Sequence, residues 1–437
     1  MLVDSKLLLA SPIDTVVRLF QLIDEPTFLA TVGFSLMRIV GGFLVAYAGA
    51  VVLALIAHRW PVVGELCAPL VLGLKSVPIA CVIVLLLMWV GSSSVSALAV
   101  FLAVFPAVYF SCAEGLANVD AKVSEMLQVF RVNGLVGFLA HVWPSTLPFL
   151  LGTSKNVCGM AWKAGVAAEL IGSPMGSVGE RIYQSKVLLE TADLFAWTIV
   201  VVAASAACER LFVWVLEGGR VSSQLLALAL ARDSRHVEQG NELVPSSIVL
   251  AHASLGYEDT VVARDVCIDR GPGSRTVLVD ASGAGKTTML RTVASLQPLL
   301  AGEALLLPPT TTMVFQDVRL LEHMTAVQNV QLVVGALMGE EEVRGALAKL
   351  LPGDALFVPV RQLSGGQRRR VEIARALLCP SAAVLLDEPF ASLDAQTHQT
   401  AARFVVEHLE GRTLMAASHM AGDAELLGAD ELRLFGK

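Results

Sequence analysis

Charged residues are scarce in this sequence, at 16% of 437 positions, whereas hydrophobic residues reach 55%. A soluble chain of this length needs a charged surface, so this balance excludes an ordinary soluble protein and indicates membrane segments. The net charge is -7 and no long basic stretch occurs. We therefore expect no nucleic-acid partner.

Cysteine pairs are also lacking, because the seven cysteines are scattered and none forms a CxxC pair. This pattern supports neither a disulfide framework nor a zinc site, and it predicts single buried thiols. The N-terminus carries one lysine, an acid and a short apolar run at 7–10, which is not the pattern of a signal peptide.

Long apolar runs are abundant before residue 217. Each is long enough, or nearly so, to cross the hydrocarbon core as a helix. The predicted spans are 31–57, 69–90, 95–112, 147–171 and 192–216. Residues 12–30 are predicted to form an amphipathic helix on the membrane surface. The glycines and prolines inside the runs are compatible with closely packed membrane helices.

The composition changes after the last span. Polar residues crowd between 232 and 242, and short β-type runs then alternate with helical patterns. We predict a transmembrane domain over 1–216, a linker over 217–245 and an α/β domain over 246–437. The fold class is thus an α-helical transmembrane domain of about five spans, followed by an α/β domain.

The α/β domain contains a phosphate-binding pattern. An apolar strand at 276–279 leads into a glycine-rich loop and then a helix, which is the context that a P-loop requires. The predicted ATP-binding residues of this loop are Ser282, Gly283, Ala284, Gly285, Lys286, Thr287 and Thr288. Lys286 would reach the β- and γ-phosphates, and the Thr287 hydroxyl would ligate Mg²⁺. Asp280 stands where the pattern has glycine; its carboxylate would repel triphosphate if it faced the loop, but not if it pointed away.

A second apolar strand, 384–386, ends in Asp387 and Glu388. In a P-loop ATPase the first acid would hold Mg²⁺ through water, and the second would act as general base on the attacking water.

Further motifs resemble those of the ATP-binding-cassette (ABC) ATPases over about 250–437. The segment Ser364, Gly365, Gly366 and Gln367 resembles the family signature. Gln316 resembles the Q-loop glutamine, 392–394 the D-loop, His419 the switch histidine and Tyr257 the aromatic that stacks on adenine.

The resemblance implies roles for these residues. Glu388, His419 and Gln316 would be catalytic, and Thr287, Gln316 and Asp387 would bind the metal. Tyr257 and the signature residues 364–367 would contact ATP, the signature acting on the P-loop of an opposing cassette. A chain with one cassette must then pair with a second copy or a related half-transporter, a homodimer being simplest.

The membrane half resembles importer permeases of the nitrate/sulfonate/taurine group. Glu125 and Pro144 keep the spacing of that family's "EAA" loop, whereas Arg131 departs from it. The family has six spans and separate permease and ATPase chains, whereas this sequence predicts five spans and a fusion. The likeness implies a coupling helix at 132–141 that docks on the cassette, and a separate extracytoplasmic solute-binding protein.

These observations predict ATP-driven import of a small solute, with ATP and Mg²⁺ as cofactors. The chain would be a multi-pass protein of the cytoplasmic (inner) membrane, embedded in the lipid bilayer, with its ATPase domain in the cytoplasm. Lys163, in the fourth span, is a candidate for attracting an anionic solute or for a structural ion pair. Two alternatives stay open: an exporter half-transporter, and a regulatory membrane ATPase that moves no solute.

Overall fold

The computed structural model describes residues 10–234, 244–257, 260–281, 283–420 and 422–434. The helices are α1 Pro12–Ile23, α2 Phe28–Arg59, α3 Pro61–Ser76, α4 Ile79–Val90, α5 Val95–Ala117, α6 Ala121–Val129, α7 Gly134–Gly137, α8 Trp143–Gly172, α9 Val178–Val187, α10 Thr191–Ser234, α11 Lys286–Val293, α12 Ala326–Val334, α13 Glu340–Ala348, α14 Gly365–Leu378, α15 Ala395–His408 and α16 Asp423–Leu427. The strands are β1 Ile248–Tyr257, β2 Thr260–Arg270, β3 Arg275–Leu278, β4 Ala301–Leu306, β5 Thr311–Val314, β6 Ala383–Asp387, β7 Thr413–Ala417 and β8 Asp430–Leu432.

The chain divides into two compact units. The first comprises Met1–Val119 and Val142–Ser222, and the second comprises Asp120–His141 and Ser223–Lys437. The segment between the third and fourth predicted spans therefore belongs to the same unit as the α/β domain, although it lies far from that domain in sequence.

Four helices in the described part of the chain are long and apolar enough to cross a membrane, and the bent pair α3 and α4 could provide a fifth crossing. The four are Phe28–Arg59, Val95–Ala117, Gly134–Gly172 and Thr191–Asp233. The third consists of α7 and α8, which a π-helical segment, Phe138–Val142, joins into one continuous helix. The predicted fold class, an α-helical transmembrane domain followed by an α/β domain, is thereby confirmed, and the number of candidate spans is four, or five if α3 and α4 form one span.

The predicted span 69–90 is wrong as a single helix. The chain forms α3 and α4, which meet at 101°. Pro78 lacks the backbone N–H that would continue the helix, and its ring disfavours helical geometry at the preceding residue. Val77 is accordingly extended, at φ -77° and ψ 128°.

Small residues allow the helices of the first unit to pack closely. A Cβ placed on Gly42 of α2 would lie 2.5 Å from the Ala97 carbonyl oxygen of α5. A Cβ on Gly165 of α8 would lie 2.5 Å from Ile39 of α2. Contacts this short exclude larger side chains, so these glycines set the spacing of three apolar helices.

Two helices, α1 and α10, differ from the boundaries that the sequence predicted. Helix α1 ends at Ile23, so only the first part of 12–30 is the separate helix, and α2 begins at Phe28. Helix α10 continues to Ser234, through most of the predicted linker 217–245. No proline interrupts 217–234, and the run from Leu225 to Ala231 is rich in leucine and alanine, which favour helix. Residues 235–243 lie outside the described residues.

The α/β part of the second unit contains two sheets. A parallel five-stranded sheet has the order β5-β6-β7-β3-β8, and an antiparallel three-stranded sheet has the order β2-β1-β4. Every residue of β6 and β7 is buried, as expected for central parallel strands covered on both faces. Leu278 and Asp387 both lie opposite Ala417. The segments that follow β3, β6 and β7 therefore leave the sheet at one edge.

Candidate ATPase site

The glycine-rich loop follows β3 at that edge. Gly283 and Gly285 adopt φ values of 81° and 89°, in the left-handed region that glycine enters without steric cost. Helix α11 begins directly afterwards at Lys286, so its unpaired N–H groups face the loop. This geometry fits a phosphate cradle. Ser282, predicted to contribute to it, lies outside the described residues.

The Lys286 side chain is held beside the loop. Its Nζ donates to the carbonyl oxygens of Asp280 and, at 3.0 Å, Ala281. It also lies 3.5 Å from Nδ1 of His419. Burial lowers the pKa of the Lys286 ammonium, an effect that the acids Asp280, Glu388 and Asp387 oppose. The cation is thus placed among the predicted catalytic groups.

Thr287 and Asp387 come together as predicted for a metal site. The Thr287 hydroxyl donates to Oδ1 of Asp387 at 3.2 Å, and Asp387 is 1% exposed. Its Oδ2 is buried without a hydrogen-bond partner. Burial raises the pKa of Asp387 to about 6. A hydroxyl beside a carboxylate with an unpartnered oxygen fits Mg²⁺, which prefers oxygen ligands and water.

Glu388 and His419 also form a pair. The His419 Nε2 lies 3.1 Å from Oε1 of Glu388. Glu388 takes a φ of 47°, unusual for a residue other than glycine, and its N–H donates to Ala417 O at 2.9 Å. The backbone is therefore fixed between two strand ends while the carboxylate remains partly exposed. This is a suitable position for a base that must reach water.

Asp280 points to a different partner. Its Oδ2 accepts a hydrogen bond of 2.5 Å from the N–H of Leu434, and the residue is 9% exposed. The carboxylate thus binds the backbone of the segment that follows β8. The sequence left two possibilities open, a carboxylate that faces the loop and one that points away. The bond to Leu434 corresponds to the second.

Tyr257 lies at the end of β1 and reaches α11. The Thr288 hydroxyl donates to the Tyr257 hydroxyl at 3.3 Å, and the tyrosine remains 41% exposed. The structure thus brings this predicted adenine-stacking residue to the helix that follows the glycine-rich loop.

The signature segment is placed outward. Ser364 caps α14: its hydroxyl accepts from the Gln367 N–H at 3.3 Å, and the Gln367 Oε1 accepts from the Ser364 N–H at 2.9 Å. Ser364 and Gly365 are exposed, and Gly366 and Gln367 are partly exposed. Their hydrogen bonds stay within the cap, so this helix start remains available to another molecule.

Gln316 is exposed and is fixed through its backbone. Its carbonyl and that of Phe315 accept hydrogen bonds from the Arg369 guanidinium on α14. Glu372, fully buried on the same helix, accepts from Arg369 at 3.0 Å and from the Arg319 N–H at 2.7 Å. The Q-loop segment and the signature helix are therefore joined by a buried polar network.

Sequence reasoning missed the partners of Glu125. Its carboxylate accepts from both terminal nitrogens of Arg291, at 2.9 and 3.2 Å, and from Arg319 at 2.8 Å. Hydrogen bonding from Arg291, with that from Arg319, lowers the pKa of Glu125. The partners lie 166 and 194 positions away, so no local pattern could have identified them.

Helix α6, which carries Glu125, packs in the core of the second unit. Val123, Met126 and Leu127 are buried there. The Arg375 guanidinium lies 4.9 Å from the centre of the Phe130 ring. Val136 and Ala140, from the predicted coupling segment 132–141, join the same core. The ion pairs with Arg291 and Arg319, however, are made by Glu125 of α6, which precedes the predicted coupling segment in sequence.

Two family models match the chain. Residues 263–391 match the ABC transporter model, and residues 46–216 match the model described as the binding-protein-dependent transport system inner membrane component. The chain therefore joins a region that matches importer-type permeases to a region that matches ABC ATPases, as the motifs predicted.

Curated relatives resemble the ATPase half. The aliphatic sulfonates import ATP-binding protein SsuB 2 of Rhizobium johnstonii is 42% identical over 134 residues, which cover 30% of this chain and 53% of the relative. The maltose/maltodextrin import ATP-binding protein MalK of Salmonella typhimurium is 31% identical over 205 residues, or 43% and 55% of the two chains. The chain thus spans a little over half the length of these relatives. Among solved structures, the dimeric MJ0796 ABC transporter cassette is 25% identical, covering 43% of this chain and 94% of that chain, with a TM-score of 0.38.

Proposed function

We propose that this protein drives the import of a small solute with ATP, as a dimer that receives the solute from a separate extracytoplasmic binding protein. The observation that carries the proposal is the bridge made by Glu125. This residue lies between two membrane-spanning helices in sequence, yet its carboxylate holds Arg291 of α11 and Arg319 near Gln316. The bridge joins the permease loop to the elements that surround the ATP site.

The ATPase chemistry follows from the chain's own residues. The loop 283–285 and Lys286 bind the triphosphate, and the partly exposed Tyr257 ring stacks on adenine. Thr287 and Asp387, with Gln316, hold Mg²⁺, which neutralises charge on the phosphates when bound. Glu388 accepts a proton from the attacking water, and His419 keeps that carboxylate oriented.

The exposed signature segment supports the dimer. Ser364 begins a helix of 14 residues whose N-terminal end faces outward. Such an end attracts anions, so the segment 364–367 is suited to complete the ATP site of a second copy or of a related half-transporter. A C₂ homodimer satisfies both sites with one chain.

The apolar helices support a place in the cytoplasmic membrane, with the ATPase domain on the cytoplasmic side, where ATP is present. Lys163 on α8 is exposed within the first unit. An ammonium on an apolar helix is costly in lipid, which favours a place on an aqueous pathway where it attracts an anionic solute. Transport by the Lys163→Met variant tests this role: unchanged anion affinity would exclude it.

The experiment that tests the proposal is transport by the purified chain in proteoliposomes, with ATP supplied on the cassette side and individual binding proteins on the other. ATP-dependent uptake only with a binding protein supports import. Efflux without a binding protein would establish the exporter alternative instead. ATP turnover with no solute movement in either arrangement would establish a regulatory membrane ATPase.

A further inference from the structure

The antiparallel sheet of the second unit brings together three side chains that the ATPase mechanism does not use. His252 lies on β1, and Asp265 and Cys267 lie on the adjacent strand β2. All three are exposed on the solvent face of the sheet. Their ligand atoms lie within 4.8 Å of one another. This is the one such trio of metal-binding side chains in the described ranges.

The three groups are already in contact. The His252 Nδ1 lies 2.6 Å from Oδ1 of Asp265 and 3.9 Å from Sγ of Cys267. The His252 N–H also donates to the Cys267 sulfur at 3.4 Å. The pairing of β1 and β2 shifts register beside these residues, between Leu250 and Ala253.

The backbone directs the side chains toward each other. His252 and Asp265 take φ values of 48° and 56°, in the left-handed region that residues other than glycine seldom adopt. Two such residues on facing strands carry a conformational cost, and residues held in this way cluster at ligand-binding sites. In a regular pair of strands the three side chains would stand roughly parallel instead of converging on one point.

The chemistry of the trio selects a class of ligand. Imidazole, thiolate and carboxylate are the three kinds of group that bind Zn²⁺, with bonds of about 2.0–2.3 Å. Tetrahedral geometry then requires about 3.4–3.6 Å between ligand atoms, which follows from those bond lengths. The His252–Cys267 separation of 3.9 Å is close to this value, and the His252–Asp265 separation of 2.6 Å must widen. Both changes are within reach of side-chain rotation, because all three residues are exposed.

We propose that His252, Asp265 and Cys267 form a surface site for Zn²⁺ that clips β1 to β2. The metal takes Nδ1 of His252, one carboxylate oxygen of Asp265 and the thiolate of Cys267, with water in the fourth position. Binding replaces the His252–Asp265 contact: the proton that Nδ1 donates there moves through solvent to Nε2, and Cys267 releases its proton to solvent. No redox change is involved, and affinity therefore rises with pH.

The proposal departs from the sequence-based expectation about cysteines. Scattered cysteines predicted buried thiols and no zinc site, yet Cys267 and Cys81 are exposed. Thirteen positions separate His252 from Asp265, and no spacing rule covers ligands that meet through strand pairing. The site also lies on the strand that ends at Tyr257, so an occupied site stiffens the hairpin that carries this residue.

The test is Co²⁺ binding to the metal-free full chain in detergent, with any affinity tag removed. We expect one equivalent to produce a thiolate-to-cobalt absorption band in the near ultraviolet, which Zn²⁺ then abolishes by displacement. Cys267→Ser removes the band. His252→Ala and Asp265→Asn each weaken Zn²⁺ binding by at least about 10-fold, since each removes one of three ligands.

Two matched controls keep the result specific. Asp269→Asn removes an exposed acid from the same strand, and Cys81→Ser removes the other exposed thiol; both variants retain the band and the affinity. Hydrogen exchange supplies a second readout, because Zn²⁺ should slow amide exchange over 248–257 and 260–270 in the wild type but not in Cys267→Ser. A band that survives Cys267→Ser, or exchange unaffected by Zn²⁺, would overturn the proposal, and neither readout depends on ATP hydrolysis or transport.

Discussion

Glu125 and Arg291 form a two-pronged ion pair, with nitrogen–oxygen distances of 2.9 and 3.2 Å. Arg291 lies on α11, the helix that begins at Lys286. A shift of the glycine-rich loop therefore also displaces Arg291, which donates two hydrogen bonds to Glu125. Paired guanidinium and carboxylate groups fix orientation as well as distance. The pair is therefore suited to transmit motion between the ATP site and the permease loop.

We expect Glu125→Gln to uncouple ATP hydrolysis from transport. The amide removes the charge that both Arg291 and Arg319 require, while the catalytic residues stay in place. ATP-dependent uptake should fall by about 5- to 150-fold, the range of ordinary coupling energies, and hydrolysis should persist. Uptake and hydrolysis are measured on the same proteoliposomes. Glu341→Gln, on the exposed surface of α13, serves as the control; equal losses in both variants would contradict the coupling role.

Asp387 makes nucleotide-free stability depend on pH. Its pKa is raised from 3.8 to about 6, because the charged carboxylate is buried. Below pH 3.8 it is neutral in both folded and unfolded chains, so burial has no ionic cost there. Between pH 3.8 and about 6 the unfolded chain ionises this carboxyl while the folded chain keeps it neutral, so stability falls as the pH rises and has lost about 3 kcal/mol once the pH exceeds about 6.

Asp387→Asn should therefore raise the thermal unfolding temperature of the nucleotide-free chain at pH 8, and by less at pH 5. Thermal melts in detergent at the two pH values measure the difference, with the exposed Asp430→Asn as control. If Asp387 binds Mg²⁺, the Mg²⁺ concentration needed for half-maximal ATPase activity of the wild type should rise below about pH 6, because protons then compete with the metal for the carboxylate. A pH-independent effect of Asp387→Asn on melting would contradict this account.

Tyr257 offers a test that separates its ring from its hydroxyl. The ring is partly exposed, whereas the hydroxyl accepts from Thr288. Tyr257→Phe should keep most of the ATP affinity, and Tyr257→Ala should lose about 1–3 kcal/mol of stacking, or roughly 5- to 150-fold. Equilibrium binding of a fluorescent ATP analogue measures both, with Phe357→Ala as the exposed aromatic control. An equal loss in the Phe variant would assign the role to the hydroxyl instead.

Local patterns predicted much of the ATPase site. Some features of the site are visible directly in the sequence because they need particular residue types. They are the glycines at 283 and 285, the apolar strand before Asp387 and the residue order from Tyr257 to His419. The pairs Thr287–Asp387 and Glu388–His419 followed because parallel strands end at one edge. The end of α10 did not, because it depends on how far a helix continues after its apolar pattern changes. The bend at Pro78 was missed because proline is also compatible with a continuous membrane helix.

Long-range partners could not be predicted in the same way. Glu125 was identified from its loop, but its arginines are selected by tertiary packing of α6 in the second unit. The sequence identified Asp280 as a departure from the glycine of the phosphate-binding pattern. Only the fold shows that its carboxylate accepts a hydrogen bond from the Leu434 N–H. Exposed trios such as His252, Asp265 and Cys267 depend on strand register, which a single sequence does not specify.

Replacing Asp280 should affect stability, not nucleotide affinity. Asp280→Gly leaves the buried N–H of Leu434 without its acceptor, which costs about 1–3 kcal/mol. Asp280→Asn keeps an acceptor oxygen and should lose less. Thermal melting measures the first effect and ATP titration the second. An ATP affinity that rises about 10-fold or more in Asp280→Gly would mean that the carboxylate faces the phosphates.

Glu388→Gln should stop turnover while leaving ATP bound. The amide keeps the size of the side chain and its place beside His419 but cannot accept a proton from water, so hydrolysis should fall by about 10²–10⁴-fold. Because binding depends on Lys286 and the glycine-rich loop, ATP affinity should be preserved, and the two cassettes of a dimer should remain closed on unhydrolysed nucleotide. Phosphate release measures turnover, and the amount of unhydrolysed ATP that the washed variant retains measures closure. Glu407→Gln, on the surface of α15, should hydrolyse ATP normally; undiminished hydrolysis by Glu388→Gln would remove this residue from the mechanism.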